Sequence, residues 1–422
     1  MNTFLLILIR ISYLISIYTL VFWFLTLTER DIFKKSSKRV KDWPTVSVLI
    51  PAYNEEKTIK KCVLSALNLD YPKDKLNVIV VNDGSTDKTA DIVKSMMKKF
   101  PNLKLINLKN GGKAHALNTA LKQVNSEFFA CLDADSFVDK KTLKKMIRVF
   151  KSSDEKLAVV IPAMKVYKPK TILQKIQDIE YNTSILLNRL LSELDSAYVA
   201  PGPFSIYRTE VVKKIGGFDE NSLTEDQEIA YRLQKNMYHL KQCPEAWVFT
   251  STPKNGREFF KQRKRWDRGG IQTWWKYREL MFNPKYGNFG VMQMPLIIIR
   301  YLMGILALVS SYFFYIRPLI KLIHNLNLVG WDLRAYWRDA FRHGLFHNFS
   351  WLNLNFVNLF FIITSLTGTL ILVFYAFKYT KEGWKLGRLL VLIPYIALYY
   401  LLQSIIVVVA FTETILNRRK EW

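Results

Sequence analysis

Val46-Ser-Val-Leu-Ile-Pro-Ala-Tyr-Asn-Glu55 decides the fold. Val46–Pro51 is apolar and β-branched, as a buried strand requires, and Pro51-Ala-Tyr-Asn-Glu55 ends it. Glu55–Leu67 then takes helical spacing. Outward from there the alternation repeats. Val78–Val81 reads as a buried strand and Thr86–Lys99 as a helix, and Lys104–Leu108, Phe128–Leu132 and Ala158–Ile161 read as further strands. Continued to about Thr250, this pattern predicts an α/β domain: a mostly parallel, Rossmann-like sheet with covering helices. Such sheets bind ligands at the carboxyl ends of their strands. Carboxylates stand at those ends, with Asp83 after one strand and Asp133 and Asp135 after another.

The candidate chemistry follows from these positions. In Asp83-Gly-Ser-Thr-Asp87, the Asp83 carboxylate can accept from a base or ribose, whereas Ser85 or Asp87 equally suits a helix N-cap. Tyr53 can pack on a base. Asp133-Ala-Asp135 follows Phe128–Leu132. In a strand alternate residues share a face, so both carboxylates can point at one site. Two acids so close call for a cation, and a hard divalent ion held with phosphates suits them; a turn or helix start is the plain alternative. Thr224-Glu-Asp226 opens the helix-like Gln227–Gln234. There Asp226 is either a capping acid or a general base for an acceptor hydroxyl. In Gln262-Arg-Lys-Arg-Trp266 on a helix, Gln262, Arg265 and Trp266 share a face. Arg can hold a diphosphate bidentately and an indole offers a platform for a sugar ring, while a basic interfacial helix with a Trp anchor would look the same. Lys113, in Gly111-Gly-Lys-Ala-His-Ala-Leu-Asn118, can reach phosphate or base, and His115 reads as a local hydrogen-bonding residue.

The chain has 422 residues, a net charge of +26 and 50% hydrophobic residues, unevenly distributed. The first ~30 and last ~130 residues are apolar and the middle is charged, which suggests a water-soluble domain held between membrane segments. The positive charge suits anionic lipid headgroups and a polyanionic small substrate. With no nucleic-acid motif present, nucleic acid is not an expected partner. Cys62, Cys131 and Cys243 are far apart and odd in number, so neither a disulfide framework nor a zinc site is expected, and each reads as a small buried apolar residue. Phe4–Leu27 is long enough to span a bilayer. Tyr301–Ile316, Trp351–Phe377 and Leu389–Phe411 are three further candidate spans, with Phe289–Ile299 interfacial or extending the first of them. The Lys-rich middle domain and the loop Lys378–Arg388 then lie inside, and the segment between Arg317 and Ser350 outside. Lys34–Lys41 is a basic linker that can rest on headgroups.

In order, the chain shows PAYNE, DGSTD, GKAxALN, DAD, TED and QxxRW, followed by apolar spans. Together these resemble the membrane-integrated processive family 2 glycosyltransferases, which include the poly-N-acetylglucosamine, hyaluronan, chitin and cellulose synthases. The resemblance covers about Val46 to Gly270. It implies a GT-A fold on the cytosolic side of the cell membrane, and an inverting transfer of a sugar, N-acetylglucosamine foremost, from a UDP-sugar to a growing β-linked polysaccharide, with export possible. By resemblance Asp83 binds the nucleoside with Tyr53 beside the base, Glu55 in the first motif and Lys113 nearby. Asp135 binds Mg²⁺ or Mn²⁺, assisted by Asp133. Asp226 is the catalytic base, Gln262 and Arg265 hold the diphosphate, and Trp266 lines the acceptor site. Pro201-Gly-Pro-Phe204 aligns with an acceptor-contacting loop, and Gly383-Trp384 to Arg388 loosely with a gating loop. The expected organisation is a transmembrane helix (1–28), a basic linker (29–44), the GT-A domain (45–255), interfacial helices carrying QxxRW (256–299), three transmembrane helices (300–412) and a tail (413–422). A single-transfer enzyme acting on a lipid acceptor, and a non-catalytic basic membrane-tethered binding protein, are the alternatives.

Overall fold

The computed structural model describes residues 3–29, 40–328, 330–334, 338, 356–383 and 386–416. Most of the Lys34–Lys41 linker, the start of the Trp351–Phe377 span, Trp384, and residues 417–422 of the tail lie outside them.

Strands β1 (Val46–Ala52), β2 (Leu76–Asp83), β3 (Leu103–Leu108) and β4 (Phe128–Cys131) form the first half of one eight-stranded sheet. The second half comprises β5 (Phe137–Val138), β6 (Leu157–Val166), β7 (Ile206–Arg208) and β8 (His239–Thr250). Their spatial order is β3-β2-β1-β4-β7-β6-β8-β5. β1 pairs in parallel with both β2 and β4, with Val46 opposite Leu76 and Phe128, and β2 pairs in parallel with β3. β7 runs antiparallel to β4 and β6, β8 is parallel to β6, and β5 is antiparallel to β8. The expectation of a mostly parallel sheet therefore holds, with β7 and β5 as the antiparallel exceptions.

Alternation explains why β1 and β2 are mostly apolar, broken only by Ser47 in the first and by Asn77 and the terminal Asn82-Asp83 in the second. Val46, Val48, Ile50, Val78 and Val80 pack into one core, and Leu49, Ile79 and Val81 into the core on the opposite face. A strand covered on both sides has no polar face to show. The first core is roofed by α2 (Ile59–Leu67), α3 (Thr89–Met97) and α5 (Thr142–Ser152), and the second by α4 (Lys113–Lys122) and α8 (Glu225–Lys235). Between β6 and β7 runs the long α6 (Ile172–Glu193), opened by a capping box of Thr171 and Gln174, and α7 (Thr209–Lys214) follows β7.

α2 and α3 begin later than their spacing predicts because the preceding residues build the loops at the strand ends. Asp87 accepts from the Thr89 and Glu56 N–H groups, at 2.9 and 3.0 Å, and Ser85 Oγ from the Asn54 N–H at 3.0 Å. Asp87 thus reaches the first residue of α3, as a helix-start reading has it, whereas Ser85 ties the loop after β2 to the loop after β1 and caps no helix. The three cysteines are buried and unpaired.

Outside the sheet, α1 (Thr3–Glu29) contains the first expected span, and α9 (Gly256–Lys276) carries Gln262 to Trp266. The two segments expected at Phe289–Ile299 and Tyr301–Ile316 form one helical run. It comprises a π-helical turn at Phe289–Gln293, α10 (Met294–Ser311), a second π turn at Tyr312–Ile316, and α11 (Arg317–Leu328). α12 (Phe356–Thr380) follows; then α13 (Leu386–Pro394), a π turn at Tyr395–Tyr399 and α14 (Tyr400–Ile415) form the last run. Among the described residues, Arg10–Glu29 and Phe289–Ser311 are long and apolar enough to cross a membrane.

Candidate active site

The carboxyl ends of β1, β2 and β4 and the first turns of α4 and α8 converge on one charged centre. Its middle is Lys113, the first residue of α4. Its Nζ lies 2.6 Å from Asp133 Oδ1 and 2.9 Å from Glu225 Oε1. Asp226 and Arg265 are near enough to act on the same charges. Burial would discharge Lys113, but Asp133, Glu225 and Asp226 hold its pKa well above the ordinary value.

The approach of Lys113 is built by local sequence. Asp83 ends β2, and its two oxygens accept the backbone N–H groups of Gly111 and Gly112, each at 2.9 Å. This folds the loop so that α4 starts at Lys113. Gly112 adopts φ 89°, in the left-handed region that glycine enters without strain. Asp83 is thus committed to its own chain through two of its lone pairs, with others left to accept from a ligand. Pro201-Gly-Pro-Phe204 closes the other side. A Cβ on Gly202 would sit 2.5 Å from Lys113 Nζ and 2.7 Å from Asp133 Oδ2, so glycine lets this loop pass over the ion pair without displacing it.

Asp133 and Asp135 do not lie within a strand, as the alternation argument assumed. β4 ends at Cys131 and the two acids follow in a turn. They remain close enough to interact. Burial, together with the Asp133 and Glu55 carboxylates, raises the Asp135 pKa to about 6. Ser136 Oγ donates to Asp135 Oδ1 at 2.9 Å. Among the described residues, no three His, Cys, Asp or Glu side chains gather to hold a metal unaided. Two carboxylates completed by phosphate oxygens and water are the donor set that suits Mg²⁺ or Mn²⁺, and the mutual repulsion at Asp135 is what a cation would relieve. The residues present therefore fit such an ion.

Asp226 stands in the first turn of α8, where its Oδ1 accepts the Gln227 N–H at 2.9 Å. Burial, then the adjacent Glu225, raise its pKa to about 6, against the opposing pull of Lys113 and Arg265. It is ionised at neutral pH yet basic enough to take a proton. Glu225 moves the other way. Burial opposes its charge, but Lys113 holds its pKa below the ordinary value. Neither Glu225 nor Gly202 stood out individually in the sequence; the signal for both is spatial, through Lys113.

On α9, Arg265 is exposed and close enough to this centre to act on Asp226, and Gln262 keeps its Oε1 buried with no hydrogen-bond partner among the described residues. The Trp266 ring packs 4.4 Å from the guanidinium of Arg263, which pairs bidentately with Glu180 at 2.8 and 2.6 Å. Tyr53 stands at the tip of β1, 49% exposed. Glu55 anchors the same tip, its N–H donating to Thr89 Oγ1 at 2.8 Å. His115 lies 3.2 Å from Glu220, a hydrogen-bonding contact as expected, but with a partner 105 residues away and not a local one.

The sequence profile of the glycosyl transferase family 2 matches residues 47–216, which carry the first four motifs and the Gly202 loop. Poly-β-1,6-N-acetyl-D-glucosamine synthase of Staphylococcus epidermidis is 29% identical over 377 residues, 89% of this chain and 84% of its own. A probable glycosyltransferase of Bacillus subtilis, YdaM, is 29% identical over 323 residues, 74% of this chain and 75% of its own. A mannosyltransferase of Pyrobaculum calidifontis, solved in complex with GDP-Man and Mn²⁺, superposes with a TM-score of 0.63 at 19% identity, covering 98% of this chain and 99% of that one. That likeness establishes the fold. The non-catalytic alternative falls with these matches: the chain carries a glycosyl transferase family 2 domain in a GT-A-like fold, and it is a glycosyltransferase.

Proposed function

We propose that the chain transfers N-acetylglucosamine from UDP-N-acetylglucosamine to a growing β-linked polysaccharide, at the cytosolic face of the cell membrane. The observation that carries the reading is Asp226. It is a carboxylate with a pKa near 6, set in the same charge cluster as Lys113, Asp133 and Arg265. An acceptor hydroxyl placed against Asp226 loses its proton as its oxygen attacks the anomeric carbon. The bond to the diphosphate breaks on the opposite side, so an α-linked donor gives a β-linked product. The choice of sugar is supported by the relatives named poly-β-1,6-N-acetyl-D-glucosamine synthase, which align over most of both chains. The two apolar helices support the membrane assignment.

The remaining residues take roles that match their positions. Asp83 and Tyr53 receive the nucleoside, with Glu55 fixing the loop that presents Tyr53. Lys113 exchanges its carboxylate partners for donor phosphate. Asp135 and Asp133 hold Mg²⁺ or Mn²⁺, which when bound neutralises charge on the diphosphate. Arg265 and Gln262 hold that diphosphate from α9, and Trp266 offers its face to the acceptor. Replacing Asp226 by Asn keeps the shape and removes the base. Turnover, followed as UDP release, is expected to fall by on the order of 10²–10⁴ while UDP binding stays near that of the wild type. Near-normal turnover removes Asp226 from this role.

A further inference from the structure

α9 is held on two faces by carboxylates from distant helices, and the third face carries Gln262, Arg265 and Trp266. At 100° per residue, Gln262, Arg265 and Trp266 fall within one sector, Arg263 in a second, and Lys264 and Arg268 together in a third. Glu180 of α6 takes Arg263. Glu413 of α14 takes the third sector: its Oε1 lies 2.9 Å from Lys264 Nζ and its Oε2 3.1 Å from Arg268 Nη1.

Glu413 is an unlikely residue on packing grounds alone. It is the single acid in Tyr400-Leu-Leu-Gln-Ser-Ile-Ile-Val-Val-Val-Ala-Phe-Thr-Glu-Thr-Ile415, and its side chain is 16% exposed. It also lies in the last turn of that helix, where the macrodipole disfavours negative charge. A mostly buried acid at the wrong end of a helix is tolerable only because two cations meet it. Apolar residues would join α14 to α9 without that cost, but they would leave the rotation of α9 about its axis less defined.

We propose that Glu413 is a positioning residue for the transfer reaction, setting the rotation of α9 and so the place of Arg265; this rests on the reading of α9 as the diphosphate-binding helix. The lever is short. At the side-chain radius of a helix, about 6 Å, a rotation of about 10° moves a side chain by about 1 Å. A misplacement of that size at a reacting centre can lower a rate by up to about 10².

The test is a cycle in the full chain, purified in detergent, combining Glu413→Gln with Arg265→Ala and following UDP release. Glu413→Gln alone is expected to lower kcat by on the order of ten-fold or more, with a smaller change in donor KM. In the Arg265→Ala background the same change is expected to cost several-fold less than in the wild type, because the principal group it positions is gone and only Gln262 and Trp266 remain to be displaced. Glu413→Asp, which keeps the charge, is expected to recover part of the loss. If Glu413→Gln fails to fold, Lys264→Gln replaces it, since it removes one arm of the same clamp. An unchanged kcat, or an equal fold-loss in both backgrounds, overturns the proposal and leaves the reading of α9 standing. An Arg265→Ala variant as active as the wild type overturns the reading of α9 itself, and the proposal with it.

Discussion

Replacing Glu225 by Gln should move the acid limb of the pH–rate profile to lower pH. Asp226 has a pKa of about 6, with burial and then Glu225 as the raising influences. A base with that pKa is about 90% ionised at pH 7 and about 9% ionised at pH 5, so kcat/KM should fall about ten-fold across that interval. An aspartate at its ordinary value would remain more than about 90% ionised at pH 5, and its rate would scarcely change. Asp135 also titrates near 6, so a limb there does not by itself name its owner. The neighbours separate the two. Glu225 acts on Asp226, whereas Asp133 and Glu55 are the acids that raise Asp135. Removing the Glu225 charge therefore lowers the midpoint if the limb belongs to Asp226. Removing the Lys113 charge, as in Lys113→Met, should raise the midpoint whichever carboxylate owns it, because Lys113 favours the ionised form of both, so the assignment rests on Glu225→Gln. The assay is initial-rate UDP release at subsaturating donor from pH 4.5 to pH 8.5, for the wild type and both variants. A wild-type midpoint near 4, or a Glu225→Gln midpoint that stays in place, refutes the argument. A uniform loss of rate with an unmoved midpoint would show damage to the site without electrostatic control of the base.

Two further substitutions probe the donor side. Asp135→Ala should weaken donor binding measured with Mn²⁺ or Mg²⁺ by at least about ten-fold and leave little difference between binding with metal and with chelator, because a principal carboxylate ligand is lost; an unchanged metal dependence counts against Asp135. Gly202→Ala would set a methyl group 2.5 Å from Lys113 Nζ and 2.7 Å from Asp133 Oδ2. The ion pair is expected to open, and kcat/KM to fall by on the order of ten-fold or more with little change in thermal stability, since the displaced atoms are side-chain ends; wild-type kinetics would show that the loop yields instead.

The parts of this fold that were legible in sequence are those whose environment is uniform along the chain. β1, β2 and β4 are covered on both faces, so they appear as predominantly apolar runs, with Ser47 and Asn77 as the interruptions, ending in a loop of polar residues. β5 and β7 span two and three residues, and β8 mixes His, Lys, Gln and Pro with its apolar positions. Their strand character comes from partners already in the sheet, which spacing does not reveal. The site divides in the same way. Asp133, Asp226 and Arg265 stand in local patterns that suggest their chemistry. The expectation that Asp133 and Asp135 lie along a strand failed because the last pairing of β4 stops at Cys131, and the turn brings the two acids together instead. The grip on α9 had no local signal at all: Glu180 and Arg263 are 83 residues apart, and Glu413 and Lys264 are 149 apart. Both carboxylates acquire meaning only when the helices pack.

The measurement that bears most directly on the central claim is UDP release by the detergent-purified chain with Mn²⁺ or Mg²⁺, across a panel of UDP-sugars, with the product sized on a gel. The account predicts metal-dependent release with UDP-N-acetylglucosamine and a ladder of long products that an N-acetylglucosaminidase of matching linkage degrades. Release with a different UDP-sugar, or a product no larger than a single glycosylated lipid, would contradict it.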